Sequence, residues 1–301
     1  MKLATWLSAY TGELCGKRIA VTGSTGGLGR EICAYLASMG ASLVLLDRNK
    51  TRSRAHGESL VAQYGVTVEY VTLNLEDLSS ASAAVTYLKE TGVDVFIHNA
   101  GAYSIPRRVC ESGYENVYQI NFATPYYMIR ELLPTLRLRR GRVVAVGSIA
   151  HRYSRIDAED VDFSKRRAAS KVYGNAKRYL MFALHELFRD EKDVHFALTH
   201  PGITFTNITA HYPKVIFAII KYPMKVIFMN PARAALSIVY GVFSDTVYGE
   251  WIGPAHFDVW GLPKKKRLRS CDTKEREQIA KIAQTVYCRC KKAVAERLDG
   301  Q

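Results

Sequence analysis

The sequence contains no C-x-x-C pair: its six cysteines are scattered at positions 15, 33, 110, 271, 288 and 290. That spacing signals neither a zinc site nor a redox dithiol, and no metal is expected. Cys288 and Cys290, two apart on a helix, face different sides and make a poor metal pair. Scattered thiols fit a reducing compartment, so the expectation is a cytoplasmic protein. No run of about 18 uncharged apolar residues exists, so no obvious spanning helix is read. The opening Met-Lys-Leu-Ala-Thr-Trp lacks an apolar stretch with a cleavage site, and export is not expected. Proline is scarce, at nine in 301 residues, and no repeat or low-complexity tract occurs, which excludes collagen-like and disordered chains. Acidic residues are also in deficit: 28 Asp/Glu face 42 Lys/Arg, for a net charge of +14.

What the chain does have is 48% hydrophobic residues, enough for a sizeable core. Apolar, β-branched runs of strand length lie at 18–21, 42–46, 66–73, 93–97, 142–146 and 194–198. They show little polar alternation, as strands covered on both faces do. Helical patterns separate them near 28–39, 51–64, 79–90, 111–138 and 168–190. This alternation predicts an α/β fold with a parallel, doubly wound sheet. No linker divides it, so one domain is read over 1–261, followed by a basic helical extension over 262–301.

Between the first strand and the first long helix runs Thr22-Gly23-Ser24-Thr25-Gly26-Gly27-Leu28-Gly29-Arg30. Glycines here permit a tight turn (Gly23), backbone approach to a pyrophosphate (Gly27) and close helix–strand packing (Gly29). The helix N-terminus would then face the diphosphate. Asp47 closes the second strand, 18 residues past Gly29, near the offset expected of a ribose-binding carboxylate. Arg48 follows it, and a guanidinium there would welcome a 2′-phosphate. Because Asp47 holds the strand end itself, the reading leans to NAD over NADP.

Ser148 ends the fifth strand run. Tyr173 and Lys177 stand one helical turn apart and share a face. A phenol beside an ammonium ionises more easily and can exchange a proton near neutral pH. Tyr-x-x-x-Lys alone means little in a chain with 18 tyrosines; the order of glycine loop, strand-end Ser and Tyr-x-x-x-Lys carries the weight.

With these motifs in that order, the chain resembles the short-chain dehydrogenase/reductase family from about Lys17 to Pro254. Asn99-Ala100-Gly101 matches the family's Asn-Ala-Gly motif, Asn121 its helix asparagine, and Pro201-Gly202 with Thr204 and Thr206 its segment beside the nicotinamide. The resemblance implies a Rossmann fold, an NAD(P)(H) cofactor and a Ser148, Tyr173, Lys177 and Asn121 site. Tyr173 would be the acid/base, and Ser148 would donate a hydrogen bond to the substrate oxygen. Lys177 would hold the nicotinamide ribose and lower the Tyr173 pKa, and Asn121 would extend a proton relay. Thr22, Gly23, Ser24, Gly27, Leu28, Gly29, Asp47, Arg48, Asn74, Leu75, Asn99, Ala100 and Gly101 would line the cofactor. Asn74 replaces an Asp common in the family, and His98 replaces an Asn before Asn-Ala-Gly. His98 is read as structural, at a strand end near the central helix.

Ser148 and Tyr173 are 25 residues apart, longer than is usual in the family, and the layout resembles its retinol-dehydrogenase-like branch. That branch implies a hydrophobic alcohol or carbonyl substrate, of steroid or other lipid type. A strongly apolar segment over 212–229, within a lid placed at about 203–230, agrees with such a substrate. Residues 262–301 hold 12 Lys/Arg against 5 Asp/Glu. The run 263–269 reads as solvated surface or as a lipid-facing cluster, and Thr273–Leu298 as an amphipathic helix. Lid and tail together leave peripheral membrane contact open. No nucleic-acid module is present, so no specific nucleic acid is expected. The family implies a homodimer or homotetramer. The competing readings are a nucleotide-binding scaffold without turnover and a membrane-surface protein with incidental cofactor affinity.

Overall fold

The protein is described here from a computed structural model, over residues 3–203, 229–268 and 271–298. Elements in chain order are α1 (Leu3–Tyr10), β1 (Arg18–Thr22), α2 (Gly27–Ser38), β2 (Ser42–Asp47), α3 (Lys50–Tyr64), β3 (Val68–Thr72), α4 (Leu78–Thr91) and β4 (Val95–His98). Next come α5 (Asn116–Tyr118), which runs through a π turn (Gln119–Ala123) into α6 (Thr124–Leu138), then β5 (Arg142–Val146), a 3₁₀ turn (Ile149–Tyr153), α7 (Ala169–Leu187) and β6 (His195–Thr199). The chain closes with α8 (Pro231–Phe243), β7 (Glu250–His256), β8 (Trp260–Arg267) and α9 (Thr273–Leu298).

One sheet takes the order β3-β2-β1-β4-β5-β6-β7-β8, parallel throughout except for the antiparallel β7–β8 pair. The doubly wound Rossmann-type α/β fold read from the sequence is therefore present. Strand order reverses between β1 and β4, and ligands of open α/β sheets bind outside the carboxyl ends of the strands at such a point. The strands are apolar on both faces because both are covered. Ile19, Val21, Leu43, Leu45, Ile97 and Val144 pack toward the layer holding α2, α3 and α8. Ala20, Val44, Phe96, Val143 and Ala145 pack toward α4, α6 and α7.

Helix ends follow local chemistry. Asn49 Oδ1 accepts from the Arg52 N–H at 2.9 Å to start α3, and Asp77 Oδ1 accepts from the Ser79 N–H at 2.9 Å to start α4. α8 begins with Asn230 capping the Ala232 N–H at 2.9 Å and Pro231 in the first turn.

The C-terminal region departs from the expected layout. The boundary drawn after residue 261 falls inside β8, because the basic run read as surface or lipid-facing cluster is the sheet's last strand. α9 is a further layer on the α6–α7 side: Ile279, Ala283, Val286, Cys290 and Val294 are buried in the same core as Phe122, Leu132 and Leu180. The 3.6-residue apolar stripe supplied a face that had to be covered, and α6 and α7 cover it. The lid residues from 204 through 228 lie outside the described residues.

Because α9 shares the main core, cutting into its stripe should destabilise the whole domain rather than release a tail. Ile279→Ala removes a fully buried side chain and is expected to cost about 2–5 kcal/mol. Thermal unfolding should show one transition shifted down. An unchanged midpoint, or a separate early transition, would contradict the packing.

Candidate active site

The nucleotide end is built around Thr22, the last residue of β1, which is fully buried. Its Oγ1 accepts from the backbone N–H groups of Asn99 (3.1 Å) and Ala100 (3.0 Å). Asn99 Nδ2 donates to the carbonyls of Thr22 (3.0 Å) and Gly23 (3.1 Å). The Asn-Ala-Gly segment thus clasps the root of the glycine loop. His98, at the end of β4, is also fully buried, with Nδ1 3.3 Å from Thr22 Oγ1. Burial, reinforced by Lys177, holds its imidazole well below the usual histidine pKa, so it is neutral.

Gly29 sits at the closest approach of α2 to the loop. A Cβ there would lie 2.1 Å from the Gly23 carbonyl oxygen. α2 begins at Gly26 with no side-chain cap, so its first N–H groups face outward unsatisfied. Gly29 thus lets the start of α2 pack directly on the loop, and a helix N-terminus with no side-chain cap fits a cofactor diphosphate.

Asp47 ends β2 and is buried, and its carboxylate is already engaged. Oδ1 accepts from the Thr25 N–H and the Thr25 hydroxyl, both at 3.1 Å. Oδ2 accepts from the Ser53 hydroxyl at 2.9 Å and from the Ser24 hydroxyl. Asp47 therefore ties the glycine loop to α3. Arg48, beside it, is exposed. A cavity of about 200 Å³ opens next to Asp47, lined by Lys50, Ser53, Arg54, Tyr70, Val71 and Thr72. Asn74 and Leu75 follow β3. Asn74 Oδ1 accepts from the Glu76 N–H at 3.3 Å, and the Leu75 carbonyl accepts from the Thr124 hydroxyl at 2.8 Å.

The chemical end lies at the carboxyl end of β5. Ser148 is in extended backbone and caps the 3₁₀ turn: its Oγ accepts from the Ala150 N–H at 3.2 Å. The Ser148 side chain lies near the Tyr173 phenol and acts to lower its pKa. α7 can press against the turn because Gly174 has no side chain, and a Cβ there would meet the Ala150 carbonyl at 2.3 Å. Lys177 is buried one turn on, with Nζ donating to the Val146 carbonyl at 2.9 Å and lying 5.9 Å from the Tyr173 ring centre. Tyr103 meets Tyr173 edge to face at 5.4 Å.

Burial dominates the electrostatics. It pushes the Tyr173 phenol up to about 12, opposed by the nearby Ser148 side chain. It also brings the Lys177 ammonium down to about 7. Of the neighbours acting on Tyr173, Ser148 is the one that lowers its pKa, whereas the sequence assigned that effect to Lys177.

Asn121 lies in the π turn, where the helix takes an extra residue. Its Nδ2 donates to the carbonyls of Ala102 and Val117, both at 2.8 Å, and its Oδ1 accepts from the Ala102 N–H at 3.3 Å. Gly101 passes so near that a Cβ would come within 2.7 Å of that oxygen. The amide side chain thus locks the segment after β4 onto α6. Pro201 and Gly202 follow β6. Gly202 takes φ +83° under Val259 and Pro254. Thr204 and Thr206 lie outside the described residues.

Several groups that complete this arrangement were not singled out in the sequence: Ser53 and Thr25 on Asp47, Tyr103 beside Tyr173, and the buried His151 and Arg178 behind Ser148. Tyr103, two residues past Gly101, carried the one local signal. The others depend on contacts set by the fold. Among the described residues no cluster of three or more His, Cys, Asp or Glu could hold a metal ion.

The family model for short chain dehydrogenases matches residues 17–214, and the chain belongs to that family. It is similar to mouse retinol dehydrogenase 14, with 27% identity over 259 residues, 79% of this chain and 77% of that one. Mouse polyprenol dehydrogenase is 26% identical over 246 residues, 78% of this chain and 73% of its own length. A solved structure of an uncharacterised protein from Mycobacterium paratuberculosis superposes with a TM-score of 0.73, at 24% identity over 96% of this chain and 97% of that one. The protein is thus an NAD(P)-dependent short-chain dehydrogenase/reductase.

Proposed function

We propose that the protein interconverts a hydrophobic alcohol and its carbonyl, of lipid or steroid size, through Ser148, Tyr173, Lys177 and Asn121. The observation that carries this reading is the convergence of Ser148, Tyr173 and the buried Lys177 at the carboxyl end of β5, where Lys177 Nζ donates to the Val146 carbonyl at 2.9 Å and the Ser148 side chain lies close enough to the Tyr173 phenol to lower its pKa. Two proton-bearing oxygens converge there, and a carbonyl oxygen is recognised by that pair of donors.

The Ala150 N–H occupies a lone pair of Ser148 Oγ, which leaves the serine proton available to the substrate oxygen. Tyr173, pushed up to about 12, is fully protonated at neutral pH and acts as the acid in carbonyl reduction. In alcohol oxidation the same oxygen takes the proton back. Lys177 would hold the ribose end of the cofactor, and Asn121 fixes the Gly101–Ala102 backbone. When bound, the nicotinamide donates or accepts the hydride. The loop from Thr22 to Gly29 and the start of α2 would hold the diphosphate. A lipophilic substrate is supported by the apolar sequence of 212–229 and by the aromatic wall of Tyr103.

Tyr173→Phe is expected to lower turnover by roughly 10²–10⁴ while cofactor affinity, read by fluorescence titration, stays close to that of the parent. A panel running from small polar ketones to retinoid- and steroid-sized carbonyls should show the highest kcat/KM for the large apolar ones. Equal values across that panel would refute the substrate class.

For the cofactor we propose NADP(H), in place of the lean to NAD. Asp47 is committed to Ser24, Thr25 and Ser53, so a ribose hydroxyl would have to displace one of them. The adjoining cavity offers Lys50 and Arg54 to a 2′-phosphate. Arg54→Ala should reduce the kcat/KM ratio of NADPH to NADH by about tenfold, the size of one charge-assisted contact. A parent enzyme that prefers NADH would overturn this assignment.

No helix among the described residues is long and apolar enough to cross a membrane. We propose peripheral contact with an anionic lipid surface instead. Exposed Tyr153, Phe257 and Trp260, with the exposed basic residues Lys264, Lys265 and Arg267 of β8, support it. The full chain should sediment with phosphatidylserine-containing vesicles, and Lys264→Glu with Lys265→Glu should abolish this. Equal recovery with neutral vesicles would remove the electrostatic basis.

A further inference from the structure

We infer that Glu275, in the first turn of α9, is a positioning residue for Ser148 and acts through Arg178 and His151. A continuous run of hydrogen bonds joins them. The Glu275 carboxylate accepts from Arg178 Nε at 2.6 Å on Oε1 and from Nη2 at 2.5 Å on Oε2. This two-pronged pairing fixes the plane of the guanidinium. The third arm, Nη1, donates to the His151 carbonyl at 3.0 Å. The His151 ring turns back on the same 3₁₀ turn, with Nδ1 2.6 Å from the Ser148 carbonyl oxygen. A carbonyl only accepts, so Nδ1 carries the proton. The His151 backbone N–H donates to the same oxygen at 3.2 Å. Ser148, beside Tyr173, is thus gripped at its carbonyl by two donors, and the carrier of both is anchored to α9.

Burial and charge make this run an orienting device rather than a fastening. Arg178 and His151 are 3% and 0% exposed. Burial takes the imidazole down to about 4, so it stays a neutral donor through the working pH range. Glu275 Oε1 also accepts from the Ile156 N–H at 3.4 Å, tying the far side of the same loop. α9 does not need the ion pair to dock, since Ile279, Ala283, Val286, Cys290 and Val294 already bury its apolar stripe. Buried ion pairs add little stability over apolar replacements, and their attested use is to fix one geometry. Arg178 directly follows Lys177, so α7 presents one residue to the cofactor side and the next to α9. The segment that supplies Glu275 lies beyond the 17–214 match to the family model.

The inference rests on Ser148 as the donor to the substrate oxygen, and a double-mutant cycle in the full chain separates the two. Glu275→Gln should lower kcat for carbonyl reduction roughly tenfold, the scale of a small misplacement at the reacting centre. KM for the nicotinamide cofactor should stay within about twofold, because the lost interaction lies away from the cofactor. In a Ser148→Ala background the same substitution should change kcat by less than about twofold, since no hydroxyl remains to be misplaced. If Glu275→Gln does not fold by circular dichroism, Arg178→Lys replaces it: lysine keeps the charge but cannot serve Glu275 and the His151 carbonyl together. The same non-additive pattern is expected. Equal fold losses in both backgrounds, or full kcat in the folded variant, would overturn the inference. Wild-type kcat in Ser148→Ala itself would instead overturn the role given to Ser148.

Discussion

The structure depends first on the stitching of β1 to β4 at their carboxyl ends. Adjacent parallel strands end in orphaned backbone groups, and here the Thr22 hydroxyl and the Asn99 amide satisfy them reciprocally. This junction fixes where the glycine loop leaves the sheet, and so where α2 points its free N–H groups. It also fixes the path of Gly101 and Ala102, which Asn121 then holds against the π turn. Asp47 extends the same logic to β2 by gripping Ser24 and Thr25. Loop, strand ends and helix start are in effect one hydrogen-bonded unit.

The chemical end is assembled differently. Its parts come from β5, the 3₁₀ turn and α7, pressed together where Gly174 leaves no side chain. Burial there sets the protonation states: Tyr173 stays a phenol, and Lys177 is easily deprotonated. A low-dielectric pocket strengthens each remaining hydrogen bond, which is why the orientation of Ser148 matters beyond its single contact with Tyr173.

Much of this was legible in the sequence, because the relevant signals are local. The glycine loop, the strand-end Ser148 and the Tyr173–Lys177 spacing each need only their own element, and apolar runs located β1 to β6. His98 was read as a structural residue at a strand end; it ends β4 and is fully buried. What escaped depends on distant pairing. Arg178 meets Glu275 across 97 residues, and Arg152 meets Asp258 across 106. Neither partner carries a local mark. The run 263–269 was read only as solvated or lipid-facing surface, because Lys264, Lys265, Lys266 and Arg267 mask the strand character of β8, which the pairing with β7 reveals. α8 did carry a signal, Asn230-Pro231 ahead of Ala234, Ala235, Ile238, Val239 and Val242, with cap, first-turn proline and helical spacing in order. Asp47 was identified by position, but its hydroxyl partners were not, so its carboxylate was assigned to the ribose.

The last strand has a consequence for how copies of this protein meet one another. A sheet that ends in an unpaired strand is a template on which another sheet can grow. Among the described residues β8 is one of the sheet's two margins, with β3 the other, and four consecutive cationic residues lie along β8. Two such margins approaching each other repel before their backbones can align, while the antiparallel pairing with β7 holds the strand in register. The same positive charges proposed to meet an anionic surface therefore disfavour extension of the sheet by self-addition at this margin.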